Sequence, residues 1–214
     1  TNVTTISLSN TTNGDIFIQE DNDLIISSIA SQGTSGDVVV ITENGSITTT
    51  NTVADSVVGD ILLQAIGASS DITIGAALLS TTGNVSLNAG KTVNLNANVR
   101  TNGNSKTIDI LANDSITMLD GSEIETNDGN IRLEATNGSV TTDIVNAGTA
   151  DAAIYSGTST TDIDGNSLIT ASDLLLKSGS TLGTGINHLN TIVDNLTVNS
   201  GDNTFLTEST DVNI

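Results

Sequence analysis

An apolar residue that opens a short strand returns along this chain at nearly constant spacing. It falls at Ile16, Val38, Ile61, Val85, Ile108, Ile131 and Ile154, in steps of 22, 23, 24, 23, 23 and 23. Looser continuations fall at Leu174 and Leu196. A second ladder (Leu24, Ile47, Ile72, Val93, Ile116, Val140) and a third (Ile29, Val53, Leu78, Val99, Ile124, Val145) keep pace with the first. Recurrence at a fixed period in the range of about 20–50 residues is the signature of a stacked array. Three short strands per period make three sides of a coil, and 214 residues hold about nine coils of roughly 23.

The local sequence explains why each unit is a strand. The pattern apolar–x–apolar follows a turn pair, as in Gly14-Asp15-Ile16-Phe17-Ile18, Gly36-Asp37-Val38-Val39-Val40, Gly59-Asp60-Ile61-Leu62-Leu63 and Gly83-Asn84-Val85-Ser86-Leu87. No stretch holds a 3.6-residue apolar period for three turns. A β-sandwich also places turns every 8–12 residues, but it predicts hairpins without a triple period. The expected fold is therefore all-β, a right-handed parallel β-helix. Each strand pairs with its counterpart one coil later, about 4.8 Å along the axis, and nine coils make a rod roughly 45 Å long. Like residues then stack on like, so Ile, Val and Leu fill a narrow interior without aromatics. Ile16, Val38, Ile61, Val85, Ile108, Ile131 and Ile154 form the expected core. Glycine at the corners is expected to supply backbone dihedrals that other residues resist, and Asn and Thr to form ladders there.

Charge and composition narrow the function. With 25 acids against 5 bases the net charge is −20, which argues against nucleic acid and against anionic membranes. The lack of Cys excludes disulfides and thiolate metal sites. No apolar run approaches the ~18 residues of a membrane span, so membrane insertion is not expected. Nor does Thr1 begin a basic-then-apolar leader.

The coils at 83–99 (Gly-Asn-Val-Ser-Leu-Asn-Ala-Gly-Lys-Thr-Val-Asn-Leu-Asn-Ala-Asn-Val) and 108–118 (Ile-Asp-Ile-Leu-Ala-Asn-Asp-Ser-Ile-Thr-Met) resemble the β-strand repeats of filamentous-haemagglutinin-like bacterial exoproteins. The likeness covers about residues 14–150 and fades beyond. It implies export, a right-handed parallel β-helix, and a place in a surface rod, fibre or large adhesin. The organisation expected is a lead-in at 1–13, regular coils at 14–157 and less regular coils with longer loops at 158–214. Within the last part, Thr158 to Thr161 and Gly179 to Gly185 read as corner loops, and Ile186 to Val193 as a short helical or loop decoration. No capping helix is apparent at either end, so the chain reads as a cut from a longer one, or as a subunit that stacks.

Asp15, Asp37 and Asp60 precede the first strand of successive coils and form the candidate calcium site; the competing role is that of solvated turn residues. Phe17, Val39 and Leu62 face outward in one column, with Ile25 on the neighbouring side. This is the candidate assembly surface, unless residues 1–13 fold back over it. Acid–base chemistry on sugars needs converging carboxylates; the best pair, Asp162 and Asp164, faces outward together if Ile163 faces in. His188 lies far from that pair along the chain, and no nucleophile elbow is present, so no catalytic residue is assigned. Asp109 and Arg132 should meet across adjacent coils. A Thr column (Thr48, Thr73, Thr117, Thr141), interrupted by Asn94, raises an ice- or mineral-binding face. The leading expectation is an extracellular structural rod on a bacterial cell surface. Its partners are copies of itself, adjoining parts of a longer chain, or surface glycans. A carbohydrate-binding or carbohydrate-cleaving coil is the alternative.

Overall fold

The computed structural model describes residues 3–31, 33–50 and 53–214. Among these there is no helix, and the strands stack as a parallel β-solenoid of about nine turns. Every registered strand pair is parallel, and each strand pairs with its counterpart in the next coil. The first face contains Ile16–Glu20, Val38–Thr42, Ile61–Ala65, Val85–Ala89, Ile108–Ala112, Ile131–Ala135 and Ala152–Ser156. The second face is built of three-residue strands such as Ile47–Thr49 and Val93–Leu95, and the third of strands such as Leu78–Ser80 and Val99–Asn104.

Alternation within each strand sorts the side chains. In Val85–Ala89, Val85, Leu87 and Ala89 are buried while Ser86 and Asn88 are half-exposed. The second ladder pairs as expected from Leu24 to Val140. The third pairs from Val53 to Val145. The first pairs from Ile16 to Ile131 and then departs from expectation. Ile131 registers with Ala152, and Ile154 registers with Leu133. The slip is two residues, so Ile154 remains fully buried while its neighbours change. Ile16 is only half-buried, because no strand covers the outer edge of its own strand among the described residues. Val38, Ile61, Val85, Ile108 and Ile131 are core residues as expected.

The corners explain the glycines in two ways. Gly14 and Gly36 have positive φ, 142° and 154°, which favours glycine. Gly59 and Gly83 do not. A Cβ on Gly83 would collide with the carbonyl of Gly59 in the coil before, so close stacking, rather than a special dihedral, excludes side chains there. The same corner holds an interior device the sequence analysis missed. Three third-face strands carry a buried hydroxyl that binds a glycine carbonyl. Ser80 Oγ donates to Gly59 O at 2.8 Å and accepts from Gly83 N at 2.8 Å. Thr101 Oγ1 donates to Gly83 O and Thr126 Oγ1 to Gly129 O, both at 2.6 Å. Its signal was present: Leu78-x-Ser80, Val99-x-Thr101 and Ile124-x-Thr126 place a hydroxyl two residues after an inward apolar residue.

Two other expectations are corrected. Thr160–Asp162 is a strand of the second face instead of a loop. Of the segment Ile186 to Val193, residues 186–188 are loop and none is helical, while from Leu189 it belongs to the strand Leu189–Ser200. That strand and Leu168–Ser178 run from the third face onto the first face of the next coil. The described part of the lead-in, residues 3–13, does not fold back over the first face. Its strand Thr5–Asn10 pairs with Leu24–Ser31 and extends the stack, with a register irregularity between Ile6 and Ser7.

Candidate functional site

Polar residues directly before the first-face strands do one job, coil after coil. Asp15 Oδ1 accepts from the backbone N–H of Asp37 at 3.0 Å, Asp37 Oδ1 from that of Asp60 at 2.9 Å, and Asp60 Oδ1 from that of Asn84 at 2.7 Å. Asn84 Oδ1 then accepts from Thr107 N at 2.9 Å, and Asn130 Oδ1 from Asp151 N at 3.2 Å. A strand start leaves N–H groups without a ladder partner, and a short side-chain oxygen one coil away satisfies them. The structure thus brings Asp15, Asp37 and Asp60 into one exposed column and gives each carboxylate a backbone partner. Among the described residues no group of three or more His, Asp or Glu side chains is arranged to hold a metal ion.

The column Phe17–Val39–Leu62 forms in register on the first face. Phe17 is 62% exposed, Val39 and Leu62 are half-buried, and Ile25, on the neighbouring face, is 39% exposed. Further along the face the chemistry changes. Arg132 grips Asp109 with two hydrogen bonds, Nε to Oδ1 at 2.7 Å and Nη2 to Oδ2 at 3.0 Å, and reaches Glu134 Oε2 at 3.1 Å. The hydrogen bond to Asp109 raises the Arg132 pKa above its ordinary value. The cross-coil pair expected from sequence is present. The two-residue slip places Tyr155 beside Glu134 and Lys177, and puts Ala153 beside Arg132. Tyr155, Glu134 and Lys177 edge a shallow groove of about 290 Å³ with Ser156 and Ser178.

The Asp162–Asp164 pair does not converge outward. Asp162 is buried, and its Oδ1 accepts from the N–H groups of Asp164 (2.9 Å) and Gly165 (2.6 Å). Asp164 is exposed and bonded to Asn166, which holds its carboxyl below the usual range. One unpredicted carboxyl lies nearby. Asp143 is 3% exposed, and burial pushes its pKa up; Asp164, Asp120 and Asp162 add to the rise, while the N–H of Gly121, donating to Oδ2 at 2.7 Å, opposes it. His188 packs against Phe205 at 5.9 Å between ring centres and meets Thr207 Oγ1 at 3.0 Å. It has no part in the carboxylate cluster.

On the second face the outward column runs Ile25, Thr48, Thr73, Asn94, Thr117, Thr141, Thr161. Each three-residue strand there offers a single outward residue, so the Thr array is one column wide. No protein-family model, curated protein or solved structure matches the chain.

Proposed function

We propose that this chain is a segment of an extracellular structural rod, part of a bacterial surface fibre or large adhesin. The observation that carries the reading is the unbroken parallel stack from Ile16 to Leu196, tied from coil to coil by side-chain bonds such as those of Asp37 and Asn84 to the N–H groups of Asp60 and Thr107. An assembly of this kind has equal, repeated contacts along one axis and transmits load along it. The acidic surface, the absence of Cys and the exoprotein resemblance support an extracellular place. Adjoining parts of a longer chain, or further copies, are the partners that fit against the outer edge of the strand Ile16–Glu20, which has no partner among the described residues.

The test is immunogold labelling of intact producing cells, with negative-stain imaging of the shed material. Label on unpermeabilised cells and rods a few nanometres wide are the expected result. Label seen only after lysis would sink the reading. The groove at Tyr155, between Glu134 and Lys177, favours glycan attachment without cleavage as a second reading. Sugar arrays probed with the intact chain and with Tyr155→Ala test it, and equal binding by both chains removes it.

A further inference from the structure

The first three coils differ from the rest in a way that specifies a partner. Residues 1–66 hold eight acids and no Lys, Arg or His. On their first face, Phe17, Val39 and Leu62 form an outward apolar column, and Ile41 sits beside it between Gln19 and Gln64. One edge of this stripe is lined by exposed Asp15, Asp37 and Asp60. The other is lined by Asp21 and Glu43. The contacts these acids make are to neutral donors: Gln19 Nε2 to Glu43 at 2.6 Å, Asn44 Nδ2 to Asp21 at 2.5 Å, and backbone N–H groups to Asp15, Asp37 and Asp60. Their charge is therefore left uncancelled.

We propose that this stripe docks a different protein, one presenting an apolar ridge between two rows of Lys or Arg. Exposed apolar surface within a uniform anionic rim is complementary to that pattern and to no other common protein surface. A second copy of this chain cannot supply it. Arg132 is committed to Asp109 and Glu134, Arg100 to Glu123 and Glu125, and Lys91 to Asp71. The remaining two bases, Lys106 and Lys177, lie on different coils, one at a corner and one on the first face, and cannot form two rows. The stripe spans three coils, so the contact is small and of transient strength by itself. The inference does not depend on the rod reading, which is tested on cells and by imaging.

The probes are two synthetic peptides of equal charge, alternating Lys-Leu and alternating Lys-Ser, titrated into the intact chain by calorimetry at low and high salt. The Lys-Leu peptide is expected to bind about tenfold more tightly, with affinity falling as salt rises. Phe17→Ser combined with Leu62→Ser removes that preference. The combined change of Asp15, Asp37 and Asp60 to Asn weakens both peptides while keeping the oxygen each ladder bond needs. Thermal melts confirm that the variants are folded. Equal binding of the two peptides, or no response to the Phe17 and Leu62 changes, overturns the proposal. So does self-association by sedimentation that salt strengthens and Phe17→Ser abolishes, which would assign the stripe to a second copy.

Discussion

The coils between Ile61 and Ser156 and those before Val57 are written in the same grammar but are not equally secure. In the middle, Ile61, Val85, Ile108 and Ile131 are each covered by a coil above and below, and are at most 2% exposed. Several acids there meet a base or an amide across coils: Asp109 meets Arg132, Asp60 meets Asn84, and Glu123 meets Arg100. In the first coils Ile16 and Ile18 are half-buried, the strand Thr5–Asn10 slips register, and no base relieves the acids. A strand in a parallel stack gains its stability from two neighbours, and an identical strand with one neighbour gains about half.

The sharpest way to break that comparison is to place the same charge at equivalent positions. Ile108→Asp buries an unpaired carboxylate and removes a packed side chain, and should cost about 4 kcal/mol or more. Ile16→Asp, with water within reach, should cost no more than about half as much. Melting curves of the two variants read the ratio, and equal shifts would mean that stack position does not matter. A smaller effect tests the corner ladder. Asn84→Ala leaves the N–H of Thr107 without its side-chain acceptor and removes the amide donor to Asp60, at about 1 kcal/mol. Asn84→Asp keeps the acceptor but faces Asp60 with a like charge, so its deficit should shrink with added salt.

Asp143 gives an effect of opposite sign. Its folded-state pKa is raised above the ordinary 3.8, so its contribution to stability is fully present below that value and is lost as pH rises through the raised one. Asp143→Asn keeps an acceptor for the N–H of Gly121 and should melt higher than the native chain at pH 7. The gain should disappear on acidification below the ordinary value. A gain that persists unchanged in acid would show that burial of the charge is not the cause. Least of all should Ser86→Asp matter. It points outward beside Leu62 and Asp109, and a loss of a few tenths of a kcal/mol is expected from the like charge alone. A shift matching that of Ile108→Asp would reverse the assignment of faces.

What escaped the sequence analysis has a common cause. The first ladder was followed from Ile131 to Ile154 because Ala152, which pairs with Ile131, carries little apolar signal. A slip of two preserves inward and outward facing, so the core survived it while the outward neighbours did not. Tyr155, which follows Ile154, lies beside Glu134, and Ala153 takes the place beside Arg132. The Asp column was legible as a column, but its role was not, because the partner of each carboxylate is a backbone N–H about 22–24 residues away. The start of the strand Leu189–Ser200 escaped because Asn190, Asp194 and Asn195 disfavour a strand locally, and pairing with Leu168–Ser178 decides the matter.

The sequence by itself determined the all-β coil, its period, its three faces and most of its core, because burial on one side of a strand demands alternation and stacking demands repetition. Both leave marks at fixed spacing. Tertiary structure alone decided the register after Ile131, the uncovered state of Phe17, the burial of Asp143 and Asp162, and which corner carbonyls Ser80, Thr101 and Thr126 reach. Those depend on which backbone groups face one another across about 4.8 Å of stack. That distance joins residues far apart in the chain, and no local pattern encodes it.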